Sequence, residues 1–150
     1  MFLFLGNLLI DPEGRFSLVN IRNFNHEKTE AMENGGRAVK AFALERGNYD
    51  TIILGTSRVN HGINPTHPVF RSLQAYNAAL PGANLYEIYQ VFIFARKTHR
   101  LKTVLLGMDF SMFSSKQTVT GDFMDSLFAG RNSWLSNLHY LASFQTLLWA

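Results

Sequence analysis

The feature that most constrains the fold of this 150-residue chain is a short apolar run at residues 49–55, Tyr-Asp-Thr-Ile-Ile-Leu-Gly. It is rich in β-branched residues and is not broken by polar alternation. Such a run is typical of a strand buried on both faces, as in a parallel sheet. Residues 73–80 and 102–107 are the candidates for a second and a third strand.

Helical patterns lie between and around these strands. The segment 28–45 can form a helix that Gly35 and Gly36 weaken and that Gly47 ends. A second helix is predicted to begin after Asn84, a good N-cap, with Glu87 three residues later. Residues 111–132 resemble a loop, and a last helix is predicted from residue 133. A set of aromatic residues is expected to pack in the core and loops rather than to form a stacking platform: Phe92, Phe94, Phe110, Phe113 and Phe123. The order of elements predicts an α/β fold, a three-layer α/β/α sandwich with a mostly parallel sheet.

Composition excludes several classes of protein. Hydrophobic residues make up 47% of the chain and the net charge is only +3, which argues against disorder. No basic stripe with interleaved aromatic residues is present, so we expect no nucleic-acid partner. The chain has no cysteine, which excludes disulfides and thiolate metal sites. No histidine cluster has metal-ligand spacing, so neither a metal nor another cofactor is expected.

The chain is predicted to divide into an apolar segment with a turn, residues 1–14, and an α/β domain, residues 15–150. The first ten residues are apolar and uncharged, and Asp11-Pro12-Glu13-Gly14 forms a turn. Ten residues are too few to cross a bilayer, since about 20 are needed. A first strand or helix of the domain, an interfacial anchor and the remnant of a membrane helix are the three alternatives.

The sequence Gly55-Thr56-Ser57-Arg58 follows the first buried strand directly. In open α/β sheets, ligands bind beyond the carboxyl ends of the strands, so a serine here lies where substrates bind. The alternative is that Ser57 only caps the helix that follows. Neither phosphate-loop pattern is present, which argues against a nucleotide site.

These residues resemble the first block of the SGNH (GDSL-like) hydrolases, in its G-[TS]-S-R variant. Residues 77–83, Asn-Ala-Ala-Leu-Pro-Gly-Ala, are similar to the second block, and residues 107–110, Gly-Met-Asp-Phe, lie where the third block would be. The resemblance covers roughly residues 48–113. It extends to bacterial membrane-anchored proteins with an SGNH-like extracytoplasmic domain, in which a D-P-x-G turn follows a membrane helix.

The resemblance implies a role for each matching residue. Ser57 would be the nucleophile that attacks an ester carbonyl. The backbone N–H groups of Ser57 and Gly82, with the side chain of residue 109, would line the oxyanion hole. Arg58 and Asn77 belong to the same blocks and would contribute to substrate or oxyanion binding.

Two departures from the family pattern weaken the implied chemistry. Asp109 stands where the family has an asparagine, and an ionised carboxylate accepts hydrogen bonds but donates none. No D-x-x-H block occurs after residue 110, and a serine nucleophile needs a base. His61 lies one helical turn beyond Ser57, but an exposed or core-edge histidine is the simpler interpretation. The chain also ends without a helix stop signal, so we expect an incomplete domain that is inactive as it stands.

We therefore expect a serine esterase or acyltransferase region that acts on ester or O-acetyl groups of small molecules or polysaccharides. The alternatives are a non-catalytic binding or scaffold domain that keeps the pocket and a structural domain tethered at a membrane. The expected location is the extracytoplasmic face of a bacterial membrane or the periplasm, with the cytoplasm as the alternative. The sequence does not predict an oligomeric state.

Overall fold

The structure is a computed structural model, and it describes residues 36–114 and 116–130. Its regular elements are α1 (Arg37–Arg46), β1 (Thr51–Leu54), α2 (Ser57–Gly62), β2 (Ala75–Asn77), α3 (Leu85–Thr98), β3 (Thr103–Leu106) and α4 (Gly121–Met124). Short 3₁₀ helices span Pro68–Phe70, Phe110–Phe113 and Leu127–Ala129. The α/β class predicted from the sequence is confirmed.

The three strands form one parallel sheet in the order β2-β1-β3. Strand β1 is central and every one of its residues is buried. Successive strands are added on opposite sides of β1. The chain passes from β1 through α2 to β2 on one side, and then through α3 to β3 on the other side. The carboxyl ends of such strands are where ligands bind in open α/β sheets.

Alternate residues of β1 pack into two separate apolar clusters. Ile52 and Leu54 belong to the larger cluster. This cluster also includes residues of α1 and α3, Met112 and three residues between 123 and 128. Ile53 belongs to a smaller cluster with Val59 of α2 and Ala79. The strand is therefore covered on both faces, which explains its unbroken apolar sequence.

Strand β3 differs from β1 in its exposure. Val104, Leu105 and Leu106 are 41%, 39% and 43% exposed, since β3 has a neighbour within the described residues on only one side.

Helix α3 and the end of α1 match their sequence signals. The start of α1 does not, because residue 36 was expected inside a helix over 28–45 but lies before the first helical residue, as the low helix propensity of glycine explains. Helix α1 begins at Arg37, directly after the Gly35-Gly36 pair, and Gly47 caps its end. The Asn84 side chain accepts a hydrogen bond of 2.9 Å from the Glu87 backbone N–H, as expected of an N-cap. The Glu87 carboxylate does not complete a capping box, because it bonds to Arg37 and Thr120 instead.

Two expectations fail in the region after β3. Residues 111–132 were expected to be a loop, but the described part contains α4 and two of the 3₁₀ helices, and Phe123 is fully buried. Phe110, expected to pack against neighbours, is 96% exposed. The predicted N-terminal segment 1–14, the first part of the helix 28–45 and the helix from residue 133 lie outside the described residues.

Candidate functional site

Ser57 is the first residue of α2 and lies at the carboxyl end of the central strand. The helix N-cap is Thr56, which makes no side-chain capping bond. Ser57 therefore does not occupy the capping position that was the alternative interpretation. Its side chain is exposed, and within the described residues its hydroxyl has no hydrogen-bond partner. This leaves the hydroxyl accessible to a ligand.

Two glycines let α2 lie directly on the strand ends. A Cβ atom added at Gly55 would lie 2.3 Å from Val59 Cγ2, and one added at Gly107 would lie 2.2 Å from the same atom. Side chains at these positions would push Val59, and with it α2, away from β1 and β3. The glycines that follow β1 and β3 thus fix the height of Ser57 above the sheet.

Asp109 reaches the residues on either side of Ser57 from the end of β3. Its carboxylate accepts a hydrogen bond from the Thr56 hydroxyl, and its Oδ1 atom lies 3.1 Å from Arg58 Nη1. Asp109 is 12% exposed at the side chain, whereas Arg58 is 85% exposed. The structure thus brings 56–58 and 109 together, with Asp109 accepting hydrogen bonds rather than donating them.

The turn at Pro81-Gly82 follows β2, at the same end of the sheet as Ser57. The pairing with β1 continues past β2, since Ala78 N–H donates to Ile53 O at 2.9 Å and Leu80 N–H to Gly55 O at 3.0 Å. Gly82 then adopts a φ of +66°, which favours glycine. Among the described residues, the Gly82 N–H has no acceptor.

Asn77 holds α2 in place. Its Nδ2 donates to the carbonyls of Val59, Asn60 and Ile63 at 3.0, 3.3 and 2.8 Å. Its Oδ1 accepts from the Ala79 N–H at 3.1 Å. The Nδ2 bonds satisfy carbonyl groups at the C-terminal end of α2, the helix that begins at Ser57. Both the amide nitrogen and the amide oxygen of Asn77 thus have partners within the structure. Its direct contact with a substrate stays a prediction.

Two buried cations of α1 contact the segment 77–81, and neither was predicted from the sequence. Lys40, only 2% exposed, donates through Nζ to Asn77 O at 3.2 Å, to Ala79 O at 2.6 Å and to the Asn60 side chain. Burial lowers the pKa of Lys40 to about 8. Arg37, three residues earlier, donates to Pro81 O at 3.1 Å. In the sequence, Arg37 and Lys40 are marked only by their spacing, since two cations lie three residues apart among apolar residues of a helix.

The described histidines lie in other contacts. His61 is exposed near the end of α2. His67 Nδ1 accepts from the Val69 N–H at 3.2 Å, and His99 Nε2 lies 2.6 Å from Leu44 O. Within residues 36–114 and 116–130, no group of three or more histidines or carboxylates is placed to hold a metal ion.

A cavity of about 410 Å³ lies at the opposite edge of the sheet. Tyr49, Phe70, Arg71 and Gln74 are among its lining residues, and it opens near the amino ends of β1 and β2. Ser57 follows the carboxyl end of β1, so this cavity is separate from the candidate site.

Comparisons with protein-family models, with curated proteins and with solved structures found no match to this chain. The resemblance to SGNH hydrolases thus stays a prediction from the three sequence blocks. In the part of the chain that the structure describes, no helix combines the length and apolar character needed to cross a bilayer. The predicted N-terminal anchor lies outside that part.

Proposed function

We propose that this chain carries the nucleophile side of an SGNH-like serine esterase or acyltransferase site. Ser57 would accept an acyl group from an ester or O-acetyl substrate and release the alcohol. The substrate class is a small-molecule or polysaccharide ester. No cofactor enters this chemistry, because the serine hydroxyl itself forms the covalent intermediate.

One observation supports this proposal most strongly. The exposed hydroxyl of Ser57 lies at the end of the central strand and has no hydrogen-bond partner among the described residues. A loop follows each of the two neighbouring strands at the same end of the sheet. Asp109 follows β3, and the Gly82 turn, whose N–H has no acceptor within the described range, follows β2. An exposed nucleophile and a free amide donor at the same end of the sheet support acyl transfer, which needs a donor for the developing oxyanion.

The proposal assigns a new role to Asp109. A carboxylate bound to Thr56 and Arg58 repels an oxyanion, so it does not replace the asparagine amide of the family pattern. Asp109 instead orients the two residues that flank Ser57. The oxyanion would then depend on backbone N–H groups, those of Ser57 and Gly82.

The wider architecture and location form part of the same proposal. The two apolar clusters on opposite faces of β1 support a three-layer α/β/α sandwich of the SGNH or flavodoxin kind. The apolar run at residues 1–10 supports attachment to a bacterial membrane, with the domain on its extracytoplasmic face.

A second candidate is a non-catalytic binding or scaffold domain that keeps the same residues at the strand ends. The observation that favours it is the absence, among the described residues, of any hydrogen bond between the Ser57 hydroxyl and a histidine or carboxylate. Without a base, a serine hydroxyl is a weak nucleophile but still a good hydrogen-bonding group.

Hydrolysis of p-nitrophenyl acetate separates the two candidates. This substrate has an activated leaving group that needs no acid to depart, so we expect slow turnover above the buffer rate even though ordinary esters should not react without a base. That turnover should be lost in Ser57→Ala and retained in Ser72→Ala, a control at another exposed serine. Equal turnover in the wild type and Ser57→Ala would contradict the nucleophile assignment. No turnover in any of the three proteins would favour the binding domain.

A further inference from the structure

The guanidinium of Arg37 is fixed in place by buried acceptors. Its Nε and Nη2 atoms lie 3.2 and 2.8 Å from Glu87 Oε2, and Glu87 is fully buried. The other carboxylate oxygen of Glu87 accepts from the Thr120 N–H and hydroxyl at 2.9 and 3.1 Å. Asp122, which is 54% exposed at the side chain, contacts Arg37 Nη1 at 3.2 Å. A guanidinium held at so many points has little freedom to move.

This fixed cation donates to one backbone carbonyl in the turn that follows β2. Arg37 Nη2 lies 3.1 Å from Pro81 O. That carbonyl and the Gly82 N–H belong to the same peptide group, which is planar and trans. In a trans peptide the N–H points away from the C=O, so a donor on the carbonyl also sets the direction of the N–H.

A charged donor on a carbonyl also polarises the peptide, since hydrogen bonds in a chain strengthen one another. The Gly82 N–H thereby becomes a stronger donor. Lys40 acts on the same segment two and four residues earlier, through the carbonyls of Ala79 and Asn77. Three alternate carbonyls, at 77, 79 and 81, thus face the cations of α1.

We infer that Arg37 is a positioning residue for the oxyanion: it orients and polarises the 81–82 peptide so that the Gly82 N–H serves as the donor. This inference rests on the proposed function of Ser57. Arg37 itself does not touch the substrate. It acts through a peptide plane that glycine at position 82 allows to turn, given its φ of +66°.

The test compares Arg37→Lys with Asp122→Asn in the full chain. Lysine keeps a positive charge for Glu87 but has no planar fork that reaches Glu87 and Pro81 O together. Asp122→Asn removes the charge of the exposed carboxylate that contacts the same guanidinium. It leaves the hydrogen bond from Arg37 to Pro81 O unchanged. The readouts are kcat and KM for p-nitrophenyl acetate and the Gly82 amide resonance in ¹⁵N-labelled protein.

We expect Arg37→Lys to lower kcat by about tenfold to a hundredfold with little change in KM, somewhat less than the loss of a whole oxyanion donor. The Gly82 amide proton should move upfield in this variant, because the peptide is less polarised. Asp122→Asn should leave both readouts near wild type. An unchanged kcat and Gly82 resonance in folded Arg37→Lys would overturn the inference.

The outcomes also distinguish this inference from the proposed function. If wild type shows no Ser57-dependent turnover, the proposed function fails, and the Gly82 resonance alone decides whether Arg37 controls the peptide. If Arg37→Lys does not fold, the wild type is treated with a fluorophosphonate that modifies Ser57. The Arg37 Nη2–H signals should then shift together with the Gly82 amide, because Nη2 donates to Pro81 O, and a shift of Gly82 alone would overturn the inference.

Discussion

Replacing Gly107 by alanine tests whether α2 is seated on the strand ends as the structure describes. The new Cβ would lie 2.2 Å from Val59 Cγ2, a distance that real Cβ contacts essentially never show. The next nearest atoms are Val59 Cβ at 3.6 Å and Leu54 O at 3.8 Å, which are ordinary contacts. A single methyl group of Val59 is therefore responsible for the whole clash.

The expected energies follow from this geometry. Gly107→Ala should cost about 1–3 kcal/mol of unfolding free energy, as overpacking of a tight site usually does. Val59→Ala should cost about 2 kcal/mol, since it removes two buried carbon groups worth roughly 0.8 kcal/mol each and leaves a small cavity. Because the second change removes the clashing atom, the double variant should be about as stable as Val59→Ala alone. The coupling between the two sites should be about 1–3 kcal/mol.

Gly55 provides the matched control. A Cβ at this position would lie 2.7 Å from Val59 Cβ and 3.0 Å from Gly107 O, in addition to its 2.3 Å contact with Val59 Cγ2. Alanine at 59 keeps its Cβ, so Val59→Ala should not rescue Gly55→Ala. Urea unfolding followed by far-UV circular dichroism measures all five variants, with midpoints compared at equal m-values. Strictly additive costs for Gly107→Ala and Val59→Ala, or equal rescue of both glycine variants, would refute the packing described here.

Three further predictions concern the residues that hold the site. Burial lowers the pKa of Lys40 to about 8 in the folded state, so the unfolded chain binds its proton more tightly. Stability should therefore rise with pH between about 8 and 10.5 in wild type, and Lys40→Met should lose this component in urea titrations at several pH values. Asn77→Ala should lower stability by about 2–3 kcal/mol through lost hydrogen bonds, and Asn77→Asp by at least as much, because a carboxylate faces three carbonyls. An Asn77→Asp variant as stable as wild type would contradict this. Asn84→Ala should cost about 1 kcal/mol in the same assay through loss of the α3 cap, and no measurable cost would argue against the cap.

The sheet was predictable because its signals are local. The run at 49–55 is apolar without alternation, and the structure places β1 at the centre, buried on both faces. Asn84 marked the start of α3 because a capping side chain acts within three residues.

The contacts around Ser57 were only partly predictable. The order of the strands brought 57 and 109 to one edge, but nothing local indicates that Asp109 pairs with Thr56 and Arg58. Arg37 and Lys40 were missed because their partners are 44 and 39 residues away, at Pro81 and Ala79. A buried cation looks like a surface cation in sequence until its acceptors are known.

Phe110 shows the opposite error. Aromatic residues usually bury a large area, so a core position was expected, yet its side chain is 96% exposed. Its exposure depends on the path of the chain after β3, which the local sequence does not determine.

The central claim is that the hydroxyl of Ser57 is the reactive group at the end of the central strand. Peptide mapping by tandem mass spectrometry after treatment of the full chain with a fluorophosphonate tests this claim most directly. We expect one adduct, on Ser57, that is absent in Ser57→Ala and after prior unfolding in urea. An adduct distributed over several exposed serines, or one that survives unfolding unchanged, would contradict it.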